Sequence, residues 1–87
     1  MSVGPVTPAA VEQQIFALLD RRQPHATICP SEVARALATD QGPWRELMPL
    51  IREVAQALAQ AGRLGVTRGG VAVDATSGGG PIRLARK

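Results

Sequence analysis

The 87-residue chain is poor in aromatic rings, with one Trp, one Phe and no Tyr. Proteins that hold single strands by stacking successive bases on rings need more than two, so the composition speaks against that class. A single cysteine leaves no disulfide framework and no multi-cysteine zinc site, and it suits a reducing compartment, the cytoplasm. One His and seven scattered carboxylates do not have the spacing of a zinc centre, and no cofactor site is expected. No stretch approaches the roughly 20 apolar residues of a membrane span, and no basic leader with a small-residue cleavage site is visible. Neither export nor a membrane partner is expected. No nucleophile stands with a base and an orienting group, so the sequence names no reaction and no small-molecule substrate; the expectation is a binding module, not an enzyme.

What is present suits one small domain. A chain this short buries only about 60 to 65% of the surface its unfolded form exposes, and a hydrophobic fraction of 45% suffices to fill one core. The net charge of +3 is unevenly placed. Residues 1–62 hold five Arg against six acids, a net of −1, whereas residues 63–87 hold Arg63, Arg68, Arg83, Arg86 and Lys87 against Asp74 alone, a net of +4.

Residues 1–6 show no periodicity and read as a loose arm. Thr7 can cap a helix that starts at Pro8, where a missing N–H costs nothing, and Val11, Ile15, Leu18 and Leu19 make one face of a helix over 8–21. Thr27 and Ile28 are a short β-favouring pair. Pro30 then opens a second helix over 30–38, with the Glu32 carboxylate placed to reach back to the helix-start N–H groups. Thr39 to Gly42 reads as a turn. Pro49 would break a helix begun at Trp44, so a single turn is expected over 43–47 and a third helix over 49–61, ended by Gly62 in a left-handed conformation.

After Gly62 the period changes from 3.6 to 2. A two-residue turn at Gly69-Gly70 sets Val66 opposite Val73 and puts Leu64, Val66, Val71 and Val73 on one face. Gly78 to Gly80 lacks the following Lys and helix of a phosphate loop and reads as a linker. Residues 81–84 alternate like a final edge strand.

Helix, β stub, helix, turn, helix, hairpin and strand is the order of an α+β winged helix-turn-helix domain. It spans 7–85, with a basic tail at 86–87. The runs ICPSEVAR (28–35), WRELM (44–48), VTRGG (66–70) and GPIRL (80–84) also resemble those of a short bacterial domain family of unknown function, described as winged-helix-like. The resemblance covers residues 11–85. It implies the fold and adds no activity.

A domain of this kind that reads duplex DNA lays its third helix in the major groove, N-terminal half nearest the bases. The outward candidates are Arg45, Arg52 and Gln56, since Arg can read guanine and Gln adenine through paired hydrogen bonds, whereas Glu53 would repel phosphate. Arg68 at the wing tip suits a phosphate or the minor groove, and Arg86 and Lys87 can follow a backbone. The competing reading of Arg45, Arg52 and Gln56 is a solvated helix face. For Arg83 the favoured role is structural, a pair with Glu32 or Asp74. Trp44 is expected to cover the core near the second-helix turn.

Two further features are weighed. Cys29 lies at a helix N-terminus, where the dipole favours thiolate, with His25 four residues upstream, but the bland role of a small half-buried cap fits better. The alternative to DNA is a protein-interaction module, a homodimer or a partner-binding surface, using the small side chains Ala55, Ala57, Ala59 and Ala61 for close packing.

Overall fold

A computed structural model describes residues 6–38 and 43–87. Thr7 accepts the Ala10 N–H on its hydroxyl at 3.1 Å and starts α1, Pro8–Asp20. Val11, Ile15 and Leu19 from this helix are buried. The second helix, α2, runs Pro30–Leu37. Its start is held as its sequence implies, because Glu32 Oε2 accepts the Cys29 N–H at 2.7 Å. The expected turn at Thr39 to Gly42 lies outside the described residues, as do residues 1–5 of the expected arm. Val6, the last residue of that arm, packs against the core.

A 3-10 turn, Trp44–Leu47, leads directly into α3, Met48–Gln60. The break falls there because Pro49 can occupy the first turn of a helix but not its interior. At the other end Gly62 has φ +76. The Arg63 N–H reaches back to Leu58 O at 2.9 Å and the Gly62 N–H to Ala59 O at 3.0 Å, so the last carbonyls are satisfied.

The chain then forms β1, Leu64–Arg68, β2, Val71–Ala72, and β3, Arg83–Arg86, in an antiparallel sheet of order β2-β1-β3. Gly69 and Gly70 at φ +58 and +83 supply the two left-handed residues of the tight hairpin turn. Thr67 pairs with Ala72, and the Val73 N–H continues the register onto Val66 O at 3.1 Å, the pairing expected from the valine pattern. Val71 departs from that expectation. It shares the face but extends past the core and is 65% exposed.

The last strand is shifted from the expected 81–84 to Arg83–Arg86, and Val66 pairs with Leu84. Ile82 and Leu84 do point inward. Pro81 has no N–H to donate, so the ladder begins after it and runs on to Arg86 opposite Leu64. Nor is this strand's outer side bare. Ile28 and Leu84 exchange N–H···O bonds of 2.9 and 2.8 Å, which makes the β stub before α2 the neighbour of β3.

The three helices pack on one another, and α3 and α1 cover the sheet. One core results, drawn from the three α-helices, β1, β3 and the segments at Ile28, Ala75 and Ile82, with Ile15, Ile28, Val33, Ile51, Leu64, Ile82 and Leu84 almost completely enclosed. Each such side chain stabilises the fold by about 1.5–3 kcal/mol through burial. Of the four alanines considered for helix packing against a partner, Ala55 belongs to this core and Ala59 is half-buried; Ala57 and Ala61 are exposed. Among the described residues no helix is long and apolar enough to cross a membrane.

Candidate nucleic-acid interface

The start of α3 gathers more positive charge than its sequence neighbours suggest. Trp44 is half-buried against the core. The guanidinium of Arg45, from the same turn, lies 4.6 Å from the centre of its ring, and that of Arg35, from α2, lies 4.8 Å away. A ring face is electron-rich and attracts a guanidinium, while the N–H edge of the group stays open to other partners. Arg45 also lines a groove of about 430 Å³ with Met48, Pro49, Arg52, Glu53 and Thr76. Arg52 is half-buried there, and its Nε is shielded from solvent with no hydrogen-bond partner among the described residues. Among the described residues Arg35, Arg45 and Arg52 form no ion pair with a carboxylate.

The other candidates are engaged within the fold. Gln56 accepts the Ala75 N–H on Oε1 at 2.8 Å, so its carbonyl is not free for the two-bond reading of adenine. Arg68 does not protrude from the hairpin tip. It turns back along the loop and donates to Ser77 O at 3.1 Å, to Gly80 O at 3.1 and 3.3 Å, and to Ser77 Oγ at 3.3 Å. Gly79, at φ +118, lies beneath it, and a Cβ there would stand 3.4 Å from Arg68 Nη1. The exposed tip is Gly69-Gly70.

The C-terminal cations are likewise tied down. Arg86 pairs with Asp20 and sits 4.7 Å from the centre of the Phe16 ring; Arg63 lies over the same ring at 5.0 Å and pairs with Glu12 at 3.3 Å. Arg83 donates to Thr27 Oγ1 at 2.8 Å and to Thr27 O at 3.0 Å, and not to Glu32 or Asp74. Those two carboxylates have other partners: Arg22 holds Glu32, and the Thr76 hydroxyl and N–H both donate to Asp74 Oδ1. These two bonds, the hydroxyl one foremost, lower the Asp74 pKa from its ordinary value of 3.8. Exposed pairs such as Arg86–Asp20 exchange readily and contribute about 0–1 kcal/mol each, whereas the acceptors of Arg68 and Arg83 are neutral and leave those two charges uncompensated. Lys87 is exposed.

Cys29 is half-buried at the start of α2, and its Sγ accepts from Ser31 Oγ at 3.1 Å. His25, at φ +72, lines a separate groove with Asp20, Arg22, Arg86 and Lys87, to which Cys29 does not contribute. Among the described residues no group of three or more His, Cys, Asp and Glu side chains could hold a metal ion. The residue that sequence reasoning missed is Arg35. It lies on α2, and only the tertiary fold brings it to Trp44; no local pattern announces the contact.

The molecule is thus a small α+β domain of three helices and a three-stranded antiparallel sheet, with an arginine cluster where α3 begins. It belongs to the family described as protein of unknown function (DUF3253), which it matches over residues 8–87. No curated protein matches the chain.

Proposed function

We propose that this chain is a cytoplasmic, non-catalytic winged helix-turn-helix domain that binds duplex DNA with the N-terminal part of α3. The strand arrangement supports the fold reading: the stub at Ile28 neighbours β3, β3 neighbours β1, and the long excursion between β1 and β3 forms the wing. The observation that carries the DNA reading is the convergence of Arg35, Arg45 and Arg52, none paired with a carboxylate among the described residues, around Trp44 and the positive end of α3.

The contact differs from the one the charge distribution along the sequence suggests. Arg35, Arg45 and Arg52 meet phosphates, while Arg68 shapes the wing and Arg86 and Lys87 lie near the end of α1. Three phosphate contacts release about three counterions, so log K against log salt has a slope of about −3. Fluorescence anisotropy with random-sequence duplex at several salt concentrations tests this. Binding that weakens steeply with salt and is lost in the Arg45→Ala, Arg52→Ala double variant is expected. Absence of binding at low salt, or loss in Arg68→Ala equal to that in the double variant, overturns the assignment.

A further inference from the structure

Strand β2 is an open edge of the sheet, with β1 on one side and no strand on the other among the described residues. Its register fixes which backbone groups are free. Arg68 and Val71 flank the two-residue turn, and the Val73 N–H bonds to Val66 O, so both of these pairs face β1. The pair between them, Thr67 and Ala72, is of the kind that makes no bonds across the ladder, which turns the Ala72 N–H and C=O outward to the open edge.

We propose that this edge, with the groove between β2 and α3, takes an extended peptide segment of a partner protein. The segment adds antiparallel at Ala72, with apolar residues on either side of the paired one and a basic residue beside Asp74. The proposal goes beyond the DNA reading, whose contacts lie at the start of α3.

The side chains fit such a strand. Among the described residues Val71 is the one large apolar side chain left exposed, at 65%. Val71 and Val73 share a face, so the two neighbours of a residue paired with Ala72 point to that face and cover them. There the groove, of about 330 Å³, has Gln56, Ala59 and Gln60 on one wall and Ala72, Val73 and Asp74 on the other. Gln56 uses Oε1 for the Ala75 N–H, which leaves its Nε2 to donate to a carbonyl oxygen of the incoming segment.

Charge selects the occupant. Asp74 is the only charged residue lining the groove, and its bonds from Thr76 go to Oδ1 and leave Oδ2 without a partner among the described residues. The nearest cation in the hairpin, Arg68, is turned away to Ser77 and Gly80. A phosphate backbone is repelled here, and a Lys or Arg is attracted. A second copy of the chain fits less well: with Ala72 opposite Ala72, Asp74 meets only Gly70 of the other copy, and so short an edge falls well below the roughly 1,200 Å² that a stable interface buries.

The test titrates the nitrogen-15-labelled full chain with the capped hexapeptide Gly-Lys-Val-Thr-Val-Gly, its threonine in register with Ala72, and follows the amide signals by NMR. A saturable shift of the Ala72 N–H is expected, with Val71, Val73 and the Gln56 side-chain amide moving over the same range. Methylating the threonine nitrogen of the peptide removes one of the two backbone bonds to Ala72 and is expected to weaken binding about tenfold. Replacing the peptide's lysine by glutamate, or Asp74 by Asn in the protein, weakens it about two- to fivefold.

An Ala72 signal that the peptide does not move, equal binding of the methylated peptide, or a preference for the glutamate peptide overturns the proposal. Ala72 shifts that grow with protein concentration in the absence of peptide assign the edge to a second copy and also overturn it. Duplex DNA in place of the peptide keeps the two claims apart: DNA that moves signals at the start of α3 and leaves Ala72 in place spares both, whereas DNA that moves Ala72 as the peptide does overturns the peptide edge.

Discussion

Gln56 Oε1 accepts the backbone N–H of Ala75 at 2.8 Å and so joins the third helix to the loop that follows the hairpin. Ala75 is fully buried, and its N–H has no route to solvent. The bond explains how a loop rich in glycine keeps one position against the helix, and it sets the orientation of the groove wall at Thr76, the next residue.

Replacing Gln56 by Ala strands the Ala75 N–H and is expected to cost about 1–3 kcal/mol, the penalty for an unsatisfied buried donor. Urea denaturation measures it. If Gln56→Ala proves as stable as the parent, the bond does not hold the loop.

Arg68 bridges Ser77 O and Gly80 O with one planar fork. Arg68→Ala is expected to destabilise the domain by about 1–2 kcal/mol, and Arg68→Lys recovers little because an ammonium cannot span both carbonyls. Amide hydrogen exchange gives the local signature: the Ala75 and Ser77 N–H groups, bonded to Gln56 Oε1 and Asp74 O, lose protection while α1 keeps its own. Unchanged exchange at Ala75 and Ser77 in Arg68→Ala means that the clip is not formed in solution.

Asp74 titrates below its ordinary value of 3.8 because the Thr76 hydroxyl and N–H stabilise its charged form. A carboxyl depressed in the folded state adds stability above the ordinary value, and that stability is lost as pH falls through the folded value. The acid side of the stability profile therefore carries an Asp74 contribution, and Thr76→Val raises the Asp74 midpoint in a carbon-13 NMR titration. An identical midpoint in the parent and in Thr76→Val contradicts the hydroxyl contact.

Leu84 is fully enclosed and pairs with Val66 on one side and Ile28 on the other. Leu84→Ala is expected to cost about 2–5 kcal/mol, as for other large-to-small changes in a packed core. Thermal unfolding monitored by circular dichroism reads the loss. A small effect would mean that the three segments meeting there do not depend on its side chain.

Much of the architecture was legible because local signals agreed with one another. Thr7 before Pro8, Pro30 with Glu32, and Gly62 after Ala61 each mark a helix end through backbone groups that need partners, and those partners lie within a few residues. The valine pattern fixed the hairpin register for a similar reason, since a slip of one residue would turn Val66 out of the core.

The site was less legible because its partners are remote in sequence. Arg68 carries the same charge whether it points to solvent or back to Gly80, and only the course of the loop decides between them. Gln56 looks like a solvated glutamine until Ala75 arrives from nineteen residues away. The net of +4 in residues 63–87 suggested a basic wing and tail; Arg63 and Arg86 instead pair with Glu12 and Asp20 on α1. The cations at the start of α3 that have no carboxylate partner among the described residues come from the part of the chain whose net charge is slightly negative.

The mutual bonds between Ile28 and Leu84 have a consequence for synthesis. The N-terminal helices leave the ribosome well before residue 84, and until then Ile28 has no strand to pair with and a face of the core stays open. The domain therefore closes in one late step, after Arg83–Arg86 has cleared the exit tunnel, and a chain stalled within the glycine-rich loop presents exposed Ile28 to chaperones and proteases.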